Sequence, residues 1–273
     1  MIHQTLATQC SISGIGIHSG IKATLTFKPS TKGTIRFNHL PSKLSIPVSP
    51  GSAAENHLRS TQLTAEGISI YTPEHVLAAC AASGITSLDI DIDSAEVPIL
   101  DGSAAPFLDL FCSVGVVEIT NSAPITPIVI NQPITIKHND ACIIATPANA
   151  AYFSYYLSYD HDVVGTQSHT IEFNLNTFKN DIALARTYGF ESEVKVLQQQ
   201  GLALGGSLDN ALVIGDKTYI NTPRYDNECA RHKLLDLVGD CWILNRPIIG
   251  HIIGIKSGHQ LNIEFVNYLY KIY

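Results

Sequence analysis

A histidine and an aspartate on one predicted helix are the first residues suited to chemistry. His232 and Asp236 are four positions apart in segment 229–236 (CARHKLLD). Residues with this spacing share one helix face, so their side chains are presented together. Imidazole nitrogen and carboxylate oxygen both bind Zn²⁺, and a catalytic zinc takes three protein ligands and keeps one position open. The pair therefore predicts two of three metal ligands, although the same spacing also fits an ordinary polar helix surface.

An adjacent acid and imidazole begin an earlier predicted helix. Glu74 and His75 follow Thr72, an N-cap candidate, and Pro73, which suits the first helical position. His75 offers the missing metal ligand, and Glu74 offers a general base that is not consumed as a ligand. The alternative is that a glutamate in a first turn only interacts with the helix dipole. Spacing does not decide between these two interpretations.

A third histidine lies near the carboxyl terminus, in segment 256–262 (KSGHQLN). His259 follows an apolar strand and is predicted on a glycine-containing turn, where a proton donor can approach a ligand. Asp240, one helical turn beyond Asp236, is available to orient this imidazole and stabilise its charge. The alternative is a solvated loop histidine beside an unrelated aspartate. Histidines in polar or strand contexts are predicted to have no catalytic role: His39, His57, His138, His161, His169 and His251.

Two runs of strands and helices must position these residues. The first run has strands at 21–27, 33–37 and 88–92 and helices at 74–82 and 107–114. Segment 120–127 (TNSAPITP) then has the composition of a linker. The second run has strands at 128–136, 143–146, 151–159, 211–214 and 248–256 and helices at 193–200 and 227–244. This order predicts an α+β fold with two domains, residues 1–122 and 127–273.

Composition excludes several classes of function. Hydrophobic residues make up 45% of the 273 residues and charged residues only 15%, which is typical of a globular protein with ample core. A net charge of −7 does not suit a surface that follows a nucleic-acid backbone, so no nucleic-acid partner is expected. The start lacks the pattern of a secretory signal, and no apolar run is long enough for a membrane anchor. A cytoplasmic monomer is therefore expected. Scattered cysteines without a C-x-x-C pair agree with a reduced compartment.

Taken together, several motifs in order resemble one enzyme family over nearly the whole chain. They are 13–20 (SGIGIHSG), 72–75 (TPEH), 96–107 (EVPILDGSAAPF), 185–190 (ARTYGF), 205–210 (GGSLDN), 231–233 (RHK) and 256–259 (KSGH). The chain resembles the UDP-3-O-acyl-N-acetylglucosamine deacetylases, zinc enzymes that catalyse the committed step of lipid A biosynthesis. The resemblance implies two domains of similar topology, with helices packed between two sheets and the site at the domain interface.

The resemblance also implies a role for each candidate. Zn²⁺ would be bound by His75, His232 and Asp236, and Glu74 would be the general base. His259, oriented by Asp240, would be a cationic stabiliser or general acid. Thr187 and Lys233 would hold the developing oxyanion or the substrate. Either His259 or protonated Glu74 would supply the proton to the leaving amine.

Substrate contacts follow from the resemblance as well. Tyr188, where the family often has Phe, and Gly206 are expected to contact the UDP-linked, acylated glucosamine. Tyr159 is expected to stack on the uracil, with packing in the core or against a neighbouring strand as its alternative. Small inserts at about 45–70 and 189–217 would complete the site, and the second would form an apolar passage for the acyl chain. Alternative functions are a zinc amidase for another sugar nucleotide and a catalytically silent relative that binds lipid or nucleotide.

Overall fold

The computed structural model describes residues 1–54 and 59–273. His57 and part of the first predicted insert lie outside these residues. The strands of the first half are β1 Gln4–Leu6, β2 Cys10–Ile15, β3 Lys22–Pro29, β4 Ile35–His39, β5 Leu44–Pro47, β6 Gln62–Ala65, β7 Ile68–Tyr71, β8 Leu88–Ile92 and β9 Val116–Glu118. Its helices are α1 Glu74–Ser83 and α2 Ala105–Val114, with a 3₁₀ helix at Pro50–Ser52.

The second half repeats a mixture of strands and helices. Its strands are β10 Ile128–Val129, β11 Ile134–His138, β12 Ala141–Thr146, β13 Ala151–Ser158, β14 Thr166–Glu172, β15 Tyr188–Phe190, β16 Leu212–Ile214 and β17 Ile248–Ile255. Its helices are α3 Leu175–Asp181, α4 Glu191–Gln199, α5 Glu228–Cys241 and α6 His259–Ile272, with a 3₁₀ helix at Trp242–Leu244. Among the described residues, no helix is both long and apolar enough to cross a membrane.

Two main sheets form the outer layers of the molecule. The first has the strand order β2-β3-β8-β4-β5, with β4 parallel and β3 antiparallel to β8. The second has the order β11-β12-β17-β13-β14, and β10 also pairs with β17. On the inner side of the first sheet, the ring of Phe27 contacts Phe107 and Phe111 of α2 at centroid distances of 6.4 and 4.9 Å. The architecture is the predicted α+β sandwich, in which helices pack between two sheets.

The contact between α1 and α5 positions the site. Every residue of α1 from Glu74 to Ala82 is buried, and α5 is the helix on which it packs most extensively. At Gly239 a Cβ atom would lie 2.2 Å from the carbonyl oxygen of Glu74, so only glycine allows the two backbones to approach this closely. Gly84 ends α1 in the left-handed conformation, with φ of 71°. The start of α1 is thereby held directly against the middle of α5.

Several local predictions are wrong in detail. The predicted strand 128–136 is divided into β10 and β11 because Pro133, between them, has no N–H for a sheet. The predicted helix 227–244 ends at Cys241 and continues as a 3₁₀ turn. Pro73, not Thr72, is the N-cap of α1, and the Thr72 hydroxyl makes no cap hydrogen bond. His259 is the first residue of α6, a helix that the sequence analysis did not predict, and not part of a turn.

Candidate active site

One cavity of about 850 Å³ brings the predicted site residues together. Its lining includes all of them except one: Glu74, His75, Tyr159, Thr187, Tyr188, Gly206, His232, Lys233, Asp236 and His259. The exception is Asp240, which is fully buried and contacts His259 from behind. Glu74 and His75 come from α1, whereas most of the others come from α5, α6 and the segment around β15. The cavity is therefore built between the two halves of the chain.

Two imidazoles and a carboxylate converge at the inner end of the cavity. Nε2 of His232 lies 3.4 Å from Oδ1 of Asp236, and Nε2 of His75 lies 3.8 Å from the same oxygen. All three side chains are at least nine-tenths buried. His232 and Asp236 are four residues apart on α5, so the helix itself sets their spacing. The structure thus brings the three predicted ligands into one cluster.

The protonation of this cluster suits a divalent cation. Burial, together with the neighbouring His232, lowers the pKa of His75 to about 3, and burial likewise lowers the pKa of His232. Nδ1 of His232 faces the carbonyl of Ala185 at 3.2 Å and must donate to it, which leaves a lone pair on Nε2. Burial acts to raise the pKa of Asp236, but His232, Lys233 and His259 together hold it below its usual range.

One unpartnered atom of the cluster also indicates a cation. Oδ1 of Asp236, the oxygen that faces both histidines, is buried and has no hydrogen-bond partner among the described residues. A buried acceptor without a partner is costly, and in native structures it commonly marks a missing ion or water. Two neutral imidazoles and one carboxylate form a donor set that Zn²⁺ prefers. The residues present therefore fit the metal that the sequence analysis predicted.

The carboxyl group of Glu74 lies beside the cluster and has a strongly altered acidity. Burial raises its pKa to about 8, although His259 acts in the opposite direction. Its Oε1 is 3.8 Å from Nε2 of His259, and its Oε2 accepts a hydrogen bond from the backbone N–H of Thr61 at 3.2 Å. A carboxyl group with a pKa near neutrality is well matched to proton transfer. This environment suits a general base.

His259 is held from behind by Asp240. Nδ1 of the imidazole donates to Oδ2 of Asp240 at 2.9 Å, which fixes the ring and the proton on that nitrogen. Burial lowers the pKa of His259, but Asp240, Glu74 and Asp236 outweigh it and raise the pKa to about 9. The imidazole therefore carries a positive charge at neutral pH. The sequence analysis proposed that Asp240, one helical turn beyond Asp236, orients His259. This pairing of Asp240 with His259 is present in the fold.

Lys233 and Thr187 line the cavity near the cluster. Nζ of Lys233 lies 2.6 Å from Oδ2 of Asp236, on the same helix. Burial acts to lower the pKa of Lys233, but Asp236 and the nearby tyrosines outweigh it, so the ammonium stays charged. The backbone N–H of Thr187 donates to the carbonyl of Gly102 at 2.8 Å, which ties the segment 185–190 to the first half. Both side chains are available to a bound ligand.

The predicted substrate contacts Tyr159, Tyr188 and Gly206 also line the cavity. The hydroxyl groups of Tyr159 and Tyr188 are 3.0 Å apart, and their rings meet edge to face. Tyr159 is 38% exposed, so it is not a core residue, but its ring packs against Tyr188 and Phe190 of β15, in agreement with the second part of the alternative interpretation. Gly206 lies in the loop that follows α4. Their contacts with substrate stay predictions.

The sequence analysis missed three residues that support the site. Thr61 contacts both Glu74 and Asp240. Glu228 accepts hydrogen bonds from the backbone and side chain of Arg186 at 2.9–3.2 Å, which holds the segment next to Thr187. Arg186 and Glu228 carry a usable signal, since both lie beside predicted site motifs. Thr61 carries none, because its partners are distant in the sequence.

Comparisons with known proteins agree with this geometry. The sequence profile of the LpxC family, UDP-3-O-acyl N-acetylglycosamine deacetylase, matches residues 3–271. The chain is 38% identical over 272 residues to the UDP-3-O-acyl-N-acetylglucosamine deacetylase of Syntrophotalea carbinolica, covering 97% of this chain and 87% of that protein. Proteins of the same name from Leptospira biflexa and Myxococcus xanthus are each 39% identical to this chain. These two alignments cover 97% and 96% of this chain and 88% and 84% of those proteins. The chain therefore belongs to the UDP-3-O-acyl-N-acetylglucosamine deacetylase family.

Proposed function

We propose that this protein hydrolyses the acetamide of UDP-3-O-acyl-N-acetylglucosamine, releasing acetate and the free amine, in the committed step of lipid A biosynthesis. The observation that carries the proposal is the position of the buried Glu74 carboxyl beside the cluster of His75, His232 and Asp236. A carboxyl group that lies next to a donor set for a divalent cation, and is not needed as one of its three ligands, can serve as the base of a hydrolytic amidase. Family membership directs the choice of substrate.

The metal would be held by His75, His232 and Asp236, whose ligand atoms lie within 4.8 Å of one another and include the unpartnered Oδ1 of Asp236. When bound, Zn²⁺ polarises an amide carbonyl and lowers the pKa of a water molecule. The flanking Lys233 balances the charge of Asp236 without occupying the oxygen that faces the histidines.

Glu74 would accept a proton from the water molecule that attacks the acetyl carbonyl carbon. Lys233 and the hydroxyl of Thr187 would donate hydrogen bonds to the oxyanion that develops. Breaking the C–N bond then requires a proton on the nitrogen of the leaving amine. Two groups are available to supply it: the His259 imidazolium, held by Asp240, and the Glu74 carboxyl, protonated in the first step.

The rest of the cavity suits the two ends of the substrate. Apolar side chains of the second insert, including Val194, Leu197 and Val213, line one arm and would desolvate an acyl chain. The aromatic pair Tyr159 and Tyr188 would contact the nucleotide end, where a ring can stack on uracil. Gly206 would let backbone approach the ligand closely.

We further infer that residues 1–122 and 127–273 act as two domains. The proposal is supported by the absence, among the residues that the structure describes, of any strand pairing between the two parts. A cytoplasmic location and a monomeric state stay predictions from the sequence.

The test is deacetylation of UDP-3-O-(3-hydroxyacyl)-N-acetylglucosamine by the purified protein, with metal content determined on the same sample. We expect release of acetate that is lost after chelation and restored by about one equivalent of Zn²⁺. Glu74→Gln should lower turnover by about 10²–10⁴-fold without loss of metal. Its matched control is Glu118→Gln, at an exposed position in β9.

Each alternative has its own outcome in this assay. A metal-loaded protein that ignores the acylated substrate but hydrolyses another sugar nucleotide would reassign the substrate. Full activity of Glu74→Gln would reject the assignment of the base. A protein that binds substrate but releases no acetate under any metal loading would be a silent relative.

A further inference from the structure

Thr61 connects two parts of the catalytic machinery that come from opposite halves of the chain. The residue is 1% exposed and lies just before β6. Its backbone N–H donates to Oε2 of Glu74 at 3.2 Å, and its hydroxyl donates to Oδ1 of Asp240. Glu74 is the proposed base, and Asp240 holds the proposed acid, His259. One buried residue thus contacts one proposed proton-transfer group directly and the support of the other.

The direction of these hydrogen bonds is fixed by chemistry. An ionised carboxylate only accepts, so Thr61 must give its hydroxyl proton to Asp240. Oδ2 of the same carboxylate is already occupied by Nδ1 of His259 at 2.9 Å and by the amide of Asn262 at 2.8 Å. Among the described residues, Thr61 is the side chain that satisfies Oδ1. Without it, Oδ1 would be a buried carboxylate oxygen that has lost its donor, which is costly.

The Thr61 hydroxyl also contacts the imidazole itself. Its oxygen lies 3.1 Å from Nδ1 of His259, and because the hydroxyl proton points to Asp240, the oxygen can share the single N–H that Nδ1 donates to Oδ2 of Asp240. Threonine, aspartate and histidine therefore form a closed triangle. This arrangement fixes the imidazole so that Nε2 faces Glu74, at 3.8 Å from Oε1.

The backbone of Thr61 also makes a hydrogen bond to the segment just before Glu74, the proposed base. Its carbonyl accepts the N–H of Thr72 at 3.0 Å, two residues before Glu74. The start of α1 and Thr61 are therefore connected by hydrogen bonds in both directions. Asp240 is 179 residues away from Thr61 in the sequence, so this contact connects the first half of the chain to the second.

We propose that Thr61 is a positioning residue that sets the distance between Glu74 and His259 during deacetylation. The inference rests on the proposed function. Its physical basis is that both groups must reach one substrate at hydrogen-bond distance, and displacement by about 1 Å can reduce a rate by about 10²-fold. Thr61 acts through Asp240 and Glu74 and need not touch the substrate.

The test compares Thr61→Val, which keeps the shape and loses the hydroxyl, with Thr61→Ser, which keeps the hydroxyl. We expect kcat to fall by about 10–100-fold for Val. The KM should stay within about threefold and the metal content should be unchanged, and the Ser variant should retain most of the turnover. The control is Thr64→Val, an exposed threonine of the same hairpin whose hydroxyl donates to the carbonyl of Ile68. If Thr61→Val does not fold, Thr61→Ala gives the same comparison without an added methyl group.

A double-mutant cycle separates positioning from a general loss of stability. Because Thr61 acts through Asp240, Thr61→Val should lower kcat by less than about threefold in an Asp240→Asn background. Equal losses of kcat in both backgrounds, or a Ser variant as slow as the Val variant, would overturn the proposal. A wild-type protein with no deacetylase activity would instead reject the proposed function, before any variant is compared.

Discussion

Lys233 and Asp236 form a largely buried ion pair, with Nζ of the lysine 2.6 Å from Oδ2 of the carboxylate. The other oxygen, Oδ1, faces His232 at 3.4 Å. The two oxygens of Asp236 therefore have separate tasks: one balances a cation from the protein, and the other is directed at the ligand cluster. The neighbouring positive charges explain how a buried carboxylate remains ionised.

Replacing Lys233 by Met should lower kcat/KM by about 100-fold, because a charged donor that lines the cavity is lost. Steady-state kinetics with metal analysis would measure this effect. Lys233→Arg should not restore full activity, since a planar guanidinium cannot replace a compact ammonium here. Lys179→Met is the control, because Lys179 pairs with Asp109 at 3.6 Å on the surface. Similar losses at positions 179 and 233 would contradict the electrostatic explanation.

The pairing of Asp240 with His259 predicts a change in pH dependence. The carboxylate helps to raise the pKa of His259 to about 9, so the imidazole keeps its proton through neutral pH. Asp240→Asn removes that support and lowers the pKa. If protonated His259 is required, the alkaline limb of kcat/KM should move to lower pH by about 1–3 units. The profile of Asp91→Asn, on the outer face of the first sheet, should match the wild type. An alkaline limb that stays in place would assign it to another group.

Gly239→Ala should damage stability and turnover together. Its new methyl group would lie 2.2 Å from the carbonyl oxygen of Glu74, so α1 and α5 would have to separate. Overpacking of this kind costs about 1–3 kcal/mol, and here it would also displace Glu74, the proposed base, from the proposed metal ligands. Denaturant unfolding and kcat would report the two effects. Gly51→Ala is the matched control, because no atom lies within 4 Å of the added carbon. A variant as stable and active as wild type would contradict this account.

The buried pair of Arg186 and Glu228 should be far more important for stability than an exposed pair. Glu228→Gln weakens the only contact that balances the Arg186 charge among the described residues, and breaking a buried pair costs about 3–5 kcal/mol. Glu193→Gln removes the partner of Arg59 at a site where both side chains are nearly half exposed, and should cost less than about 1 kcal/mol. Thermal unfolding of both variants measures the difference. Equal shifts in Tm would show that the buried pair has no special role.

The regular elements that the sequence predicts well are those with a strong apolar pattern. The strand 88–92 was predicted with its observed bounds, and α1 was predicted to within one residue. The strand β14 was missed because most of its side chains are polar and few are buried. The helix α6 was missed although Leu261, Phe265 and Leu269 repeat every four residues and are buried. An apolar residue at every fourth position is the pattern of a helix with one buried face.

The ligands and the base could be proposed from residue type and spacing, and their grouping in space is a result of the fold. Helical spacing explains why His232 and Asp236 meet, but nothing local indicates that His75 joins them. Thr61 shows more clearly which site residues cannot be predicted from the sequence. A threonine before a hairpin has no distinctive chemistry, and its role depends on a partner 179 residues away. The roles assigned to all these residues stay predictions until the variants are measured.

The complete burial of α1 also has a consequence for the folding of the protein during its synthesis. All sides of this helix between Glu74 and Ala82 are covered in the folded state, and much of the cover comes from α5. On the ribosome, the intervening chain takes on the order of ten seconds to synthesise. Throughout that interval, the apolar side chains of α1 that α5 covers in the folded state are exposed to solvent. We expect the nascent first half to require chaperones, and a protein truncated before α5 to aggregate.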